Sequence, residues 1–208
     1  MIFEKLCTEA FDERNISKDI HEMNDHIKGL LANAPPSHEI PFEVLQDIRR
    51  KGGGLLAFQQ YSEKAENIRV NYGDHKVMIR IFNHDSPDFV YLHIHGGGHC
   101  IGAADMQDQS LEKISNDLNC AVLSVEYRLA PANPYPAAPD DCEAAAIWLI
   151  ENSKSQFNTE KIVIGGESAG ANLSAVTLQR LKSKGLLDNV KGANLIYGSY
   201  DARLTPST

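Results

Sequence analysis

Short apolar runs alternate with longer amphipathic segments from residue 77 onward, and this alternation limits the folds open to the chain. Residues 77–82 have a period of two after a Tyr-Gly-Asp-His turn at 72–75, and residues 89–94 are almost continuously apolar, typical of a strand covered on both faces. Further strands are predicted at 121–125, 161–165 and 193–198, and helices over about 106–119, 140–153 and 169–184, the last ending at Gly185. Helices between strands predict βαβ crossovers and a mostly parallel sheet.

The first 55 residues have a helical pattern instead. One apolar stripe comprises Ile20, Met23, Ile27, Leu30 and Leu31. Ser17 is a candidate N-cap for this helix, and Pro35-Pro36 ends it. A second helix is predicted from Pro41, with Phe42, Leu45 and Ile48 on one side and the glycines at 52–54 after it. We therefore expect a helical segment at 1–55, whose apolar faces must pack on something, and an α/β core at 56–208.

Composition argues against several classes of protein. The chain has 208 residues, of which 42% are hydrophobic and 23% charged, as in an ordinary globular protein. Its net charge of -8, without a dense run of Lys and Arg, argues against a nucleic-acid partner. The longest apolar run, at 144–150, is too short for a membrane span, and no signal peptide is visible. Four widely spaced cysteines without a CxxC pair favour free thiols and a cytoplasmic location.

Gly166-Glu167-Ser168-Ala169-Gly170 matches G-x-S-x-G and stands between a predicted strand and a predicted helix. That is the structural context of a nucleophile elbow, in which a sharp turn lifts the serine side chain clear of the sheet. Flanking glycines are needed because the neighbouring backbone approaches closely, and the free N–H groups of the new helix point toward the turn. The alternative is a glycine-rich turn without chemistry. A phosphate-binding turn would need G-x-G-x-x-G or Gly-Lys-Ser/Thr, which is absent here.

His95-Gly96-Gly97-Gly98 follows the strand predicted at 89–94. Such a match arises by chance in roughly one chain of this length in a thousand. Three glycines allow backbone N–H groups to turn toward a bound molecule, and acyl transfer needs two or three such donors for the developing oxyanion. The two motifs therefore predict the two halves of one acyl-transfer site.

These motifs, together with the segment from Glu126 to Leu149 (EYRLAPANPYPAAPDDCEAAAIWL), resemble the hormone-sensitive-lipase group of α/β-hydrolase esterases. The resemblance covers residues 65–200 and implies an α/β-hydrolase fold whose N-terminal helices form a cap. It implies that Ser168 is the nucleophile and that Gly97, Gly98 and Ala169 supply the oxyanion N–H groups. His95 and Gly96 would brace the loop. It further implies short-chain acyl esters as substrates and no metal or organic cofactor.

The rest of a catalytic triad is not evident in the sequence. The family orders its triad as Ser, Asp, His, yet every histidine here precedes Ser168. The eight histidines are residues 21, 26, 38, 75, 84, 93, 95 and 99. His99 is a weak candidate base, and His93, His95 and His99 could alternatively be metal ligands. Asp201 is a candidate acid or a solvated loop residue.

Three explanations for the missing base remain open at this point. The sequence is a piece of a longer esterase, a short relative that binds a ligand without catalysis, or an enzyme with an unrecognised base. The plant gibberellin receptors resemble this family and lack the histidine. An unfinished sheet also predicts an exposed edge, through which the chain could form a homo-oligomer or aggregate.

Overall fold

The computed structural model describes residues 12–32, 35–51 and 61–201, and a six-stranded sheet forms its centre. The strands are β1 (Glu66–Tyr72), β2 (His75–Phe82), β3 (Phe89–Ile94), β4 (Cys120–Glu126), β5 (Ile162–Glu167) and β6 (Val190–Ile196). The α-helices are α1 (Lys18–Ala32), α2 (Phe42–Arg50), α3 (Asp108–Leu118), α4 (Ala137–Phe157) and α5 (Ala169–Ser183).

The spatial order of the strands is β1-β2-β4-β3-β5-β6. β4, β3, β5 and β6 run parallel, whereas the β1–β2 hairpin joins antiparallel to β4. The larger core cluster joins α4 and α5 to one face of the sheet, and a smaller cluster around Leu111 of α3 covers the other face. The prediction of a mostly parallel sheet flanked by helices is therefore confirmed.

Each strand and helix predicted after residue 76 is present, with shifted ends. α4 extends beyond its predicted bounds at both ends, and Asn158 ends it with φ 55°. β6 begins three residues before its predicted start, and β5 continues two residues further, to Glu167. β1 is an edge strand that we did not predict, because polar side chains occupy every second position and only Val70 is buried.

The N-terminal helices form as predicted, but their apolar faces are covered less than predicted. Neither α1 nor α2 contains a buried residue, and Met23 and Leu31 are more than half exposed. The expectation that both apolar faces are covered is therefore wrong for the stripe of α1, whereas Leu45 and Ile48 of α2 are half-buried. Two polar contacts link α2 to the core. Gln46 Nε2 donates to Cys100 O at 2.8 Å, and Arg50 lies 3.7 Å from Glu126.

Some predictions lie outside the described residues or remain untested. The former include the glycine stop at 52–54, residues 1–11 of the helical segment and its boundary at 55/56. β6 pairs with β5 alone among the described strands, and Leu195, Ile196 and Tyr197 are exposed beside its free edge. Self-association there stays a prediction, as do the cytoplasmic location and the lack of a nucleic-acid partner. None of the helices in the described ranges could cross a bilayer.

Candidate active site

Ser168 is the single residue between β5 and α5. Its backbone has φ 54° and ψ -121°, which is strained for a residue with a side chain. Its N–H donates to Ile196 O at the end of β6 (2.9 Å), so the neighbouring strand helps to hold this conformation. The predicted strand–turn–helix context of the serine is therefore present, with the strain that a nucleophile elbow requires.

The glycines on either side of the turn are required by close contact with β3. A Cβ added at Gly166 or at Gly170 would lie 1.9 Å from Ile94 O. This distance is far inside van der Waals contact, so neither position accepts a larger residue without moving β3. The closeness of α5 to β3 brings the serine next to the loop that leaves β3.

That loop contains the three predicted glycines. Gly97 and Gly98 have φ of 124° and 61°, and Gly97 O accepts from the N–H groups of Cys100 and Ile101. A Cβ added at Gly96 would lie 3.3 Å from Ser168 Cβ, so the loop and the serine are in direct proximity. Within the described residues, the N–H groups of Gly97 and Gly98 donate to no protein acceptor, and neither does that of Ala169.

His95 contacts both the glycine loop and Tyr127. Its Nδ1 lies 2.8 Å from Gly96 O, and its ring stacks on Tyr127 with centroids 4.2 Å apart. The Tyr127 hydroxyl donates in turn to His95 O at 2.8 Å. Burial lowers the pKa of His95 to about 4, so the ring is neutral at pH 7 and its Nδ1–H can donate to Gly96 O. These contacts support the prediction that His95 braces the loop.

Glu167, whose role the sequence did not indicate, contacts three segments around the turn. Its carboxylate accepts from Gly96 N–H (2.5 Å) and from Gln107 Nε2 (2.5 Å), and it lies 3.0 Å from His93 Nε2. Burial alone would raise the pKa of Glu167, but these hydrogen bonds outweigh it and lower the pKa. The sequence shows the acid beside the serine but not the partners that only folding brings together.

None of the candidate bases contacts the serine. All eight histidines lie in the described residues, and none has a ring nitrogen within hydrogen-bond distance of Ser168 Oγ. His99 has φ 64° and accepts from Ala130 N–H through its carbonyl. Asp201 follows β6 and is the last of the described residues.

The metal-site reading of His93, His95 and His99 gains no support. His93 Nδ1 lies 3.1 Å from Ser124 Oγ, and its Nε2 is engaged by Glu167. No cluster of three or more His, Cys, Asp or Glu in the described part of the chain has the arrangement of a metal site.

Comparison with known proteins identifies relatives of this site's fold. A family model described as alpha/beta hydrolase fold matches residues 91–208. The carboxylic ester hydrolase LipN of Mycobacterium tuberculosis is 41% identical over 92 residues, which are 43% of this chain and 24% of LipN. An arylesterase of Saccharolobus solfataricus is 33% identical over 138 residues, which are 64% of this chain and 45% of the arylesterase.

Solved structures agree on the fold. An esterase from Pyrobaculum calidifontis superposes with a TM-score of 0.75 at 24% identity, covering 88% of this chain and 59% of its own. A mutant of the esterase rPPE gives a TM-score of 0.78 at 16% identity, with coverage of 90% and 60%. The chain thus spans less than half the length of these two curated relatives and about 60% of the solved structures.

Proposed function

Because this chain belongs to the α/β-hydrolase fold family, we propose that Ser168 is the nucleophile of a carboxylic ester hydrolase. The strained backbone of Ser168 beside the glycine loop is the observation that carries this proposal. The two relatives, a carboxylic ester hydrolase and an arylesterase, support the same chemistry.

In the proposed reaction, Ser168 Oγ attacks the ester carbonyl carbon and the carbonyl oxygen becomes an oxyanion. The N–H groups of Gly97, Gly98 and Ala169, which have no protein acceptor among the described residues, would bind that oxyanion. Collapse of the tetrahedral intermediate expels the alcohol and leaves the acyl group on Ser168. Water then attacks the acyl-enzyme and releases the acid.

The serine must lose its proton during the attack, and in serine hydrolases a histidine takes it. None of the eight histidines contacts Ser168 Oγ, so we propose that the base and its orienting carboxylate come from outside these 208 residues. Loss of a triad histidine costs on the order of a millionfold in kcat, so the 208-residue chain is expected to be nearly inactive by itself.

Chemical rescue tests this proposal directly. The chain is assayed with p-nitrophenyl esters of increasing acyl length, with and without added imidazole, and Ser168→Ala provides the background rate. We expect imidazole to raise the rate for short acyl chains only when Ser168 is present, and a fluorophosphonate probe to label Ser168 when imidazole is added. Equal rates for the two proteins in imidazole, with no labelling of Ser168, would falsify the nucleophile assignment.

The second candidate function is a ligand-binding module without catalysis. The lack of contact between Ser168 and any of the eight histidines favours it. Such a module would bind a short-chain ester without cleaving it, and Ser168→Ala would leave the affinity unchanged. Calorimetric titration with a non-hydrolysable ester analogue, combined with the rescue assay, distinguishes the two functions.

A further inference from the structure

The carboxylate of Glu167 lies where three separate parts of the chain meet beside Ser168. His93 reaches it from β3, Gly96 from the glycine loop and Gln107 from the residue before α3. The side chain is only 15% exposed, so water does not substitute readily for these partners. One anionic group therefore satisfies donors from segments that are distant in sequence.

The strand side of this arrangement is fixed by a second hydrogen bond. His93 Nδ1 lies 3.1 Å from Ser124 Oγ on β4, and both residues are buried. His93 Nε2 donates to Glu167, and Nδ1 pairs with the Ser124 hydroxyl, which can either donate or accept. The imidazole is thus held at both nitrogens, and Glu167 is tied to two neighbouring strands of the sheet.

The hydrogen bond between Glu167 and the glycine loop lies next to the proposed oxyanion donors. Gly96 N–H donates to Glu167 Oε1, and the next two amides in the chain are those of Gly97 and Gly98. A Cβ at Gly96 would lie 3.2 Å from Glu167 Oε1 and 3.3 Å from Ser168 Cβ, so little space remains for the loop to shift. Fixing the Gly96 peptide therefore fixes the direction of the following amides relative to the serine.

We propose that Glu167 is a positioning residue, whose ionised carboxylate holds the glycine loop in register with Ser168. The inference deepens the proposed ester hydrolysis and rests on it for its effect on rate. Glu167 does not touch the reacting atoms in this scheme, since its oxygens are occupied by Gly96, Gln107 and His93. Its hydrogen bonds lower its pKa against the opposing effect of burial, which supports an ionised carboxylate at neutral pH.

A neutral amide replaces this carboxylate only in part. In Glu167→Gln the oxygen shared by Gly96 and Gln107 can remain as an acceptor, and the atom that faces His93 becomes an NH2 group. His93 Nε2 then loses its acceptor, and the charge that strengthens the bonds from Gly96 and Gln107 is removed. The Gly96 N–H bond should weaken, and the loop should lose its fixed position.

The amide resonance of Gly96 reports this bond without any assay of activity. His95-Gly96 is the only His-Gly pair in the sequence, so labelling His with 13C at the carbonyl and Gly with 15N isolates that one amide. In the unmodified chain we expect a resonance far downfield, as for an amide bonded to a carboxylate. Glu167→Gln should move it upfield, whereas Glu151→Gln, an exposed acid on α4, should leave it in place.

The rate of fluorophosphonate labelling at Ser168, measured with imidazole as the substitute base, provides the second measurement. A loss of positioning of this kind costs on the order of 10²-fold, so labelling of Glu167→Gln should slow by about that factor and labelling of Glu151→Gln should not change. An unmoved Gly96 resonance in Glu167→Gln overturns the positioning role. A moved resonance in a chain whose Ser168 never labels, even in imidazole, supports the link to the loop and counts against ester hydrolysis.

If the Glu167→Gln chain does not fold, Glu167→Asp replaces it. Aspartate keeps the charge but withdraws the carboxylate by one methylene, which removes its contact with at least one partner. The Gly96 resonance should again move upfield, and an unchanged resonance in this folded variant overturns the proposal as well.

Discussion

The turn at Ser168 and the N-terminal helices are both present as the sequence predicts, but they are held by different means. Around the turn, backbone atoms of β3, β5 and α5 are in direct contact. Glycine is the only residue type that fits at positions 166 and 170. α1 and α2 contain no buried residue, and two polar contacts tie α2 to the core. The candidate site therefore lies in the closely packed region, where moving a backbone atom would create steric clashes.

Substitution of one glycine in each region should give the largest difference. Gly170→Ala places a methyl group 1.9 Å from Ile94 O, an overpacking that should cost more than about 3 kcal/mol and prevent normal folding. Gly29→Ala in α1 meets no atom within 4 Å and should instead stabilise that helix by up to about 1 kcal/mol. Thermal unfolding followed by circular dichroism measures both, and a cooperative, unshifted transition in Gly170→Ala contradicts the packing argument.

The second comparison uses one ion pair from the α/β core around the turn and one from the N-terminal helices. Arg80 and Asp108 form a buried pair in which Arg80 Nε donates to Asp108 Oδ1 at 2.7 Å, and Ser62 N–H also donates to this carboxylate. Asp108→Asn leaves a buried guanidinium without its counter-charge and should cost about 3–5 kcal/mol. Asp47→Asn, which removes the exposed partner of Lys51 in α2, should leave the urea midpoint unchanged. Equal midpoint shifts in the two variants would mean that burial does not determine how much stability is lost when an ion pair is broken.

Acid should weaken the loop region before it affects α1. Burial lowers the pKa of His95 from an ordinary 6.5 to about 4, so the unfolded chain takes up a proton that the folded chain does not. The free energy of unfolding should therefore fall as the pH drops from 6.5 toward 4, by up to about 3 kcal/mol. Urea unfolding at several pH values measures the slope.

Two variants test whether His95 causes this pH dependence of the free energy of unfolding. His95→Asn should flatten it, whereas His21→Gln, an exposed site on α1, should not change it. Glu167 contributes in a lower range, because its lowered pKa delays protonation and its contribution is lost only below the usual pKa of a glutamate. A slope that persists between pH 6.5 and 4 in His95→Asn shows that another group is responsible.

The smallest expected effect is at the contact between the two regions. Gln46→Ala removes the hydrogen bond to Cys100 O and should cost about 1 kcal/mol or less. Hydrogen exchange should show faster amide exchange in α2 and unchanged exchange in β3 and β5. Faster exchange in the strands as well would mean that α2 belongs to the same cooperative unit as the sheet.

The sequence determined the order of strands and helices after residue 76, because periods of two and 3.6 in apolar residues follow directly from strand and helix geometry. It also determined the strand–turn–helix context of Ser168, since the glycines there answer a local steric need. β1 was not predicted because an exposed edge strand needs few apolar residues. Backbone hydrogen bonds to its partner β2 hold it in the sheet instead.

Only the tertiary structure decided which groups meet around the serine. Glu167 adjoins Ser168 in sequence, but His93 and Gln107 are 74 and 60 residues away from it. Parallel strands bring such residues together at one edge of the sheet. No local sequence pattern predicts these contacts, because the residues are distant in the chain. Whether the apolar stripe of α1 is covered was likewise not decided by its sequence, because amphipathicity fixes which face a helix offers and not what lies against it.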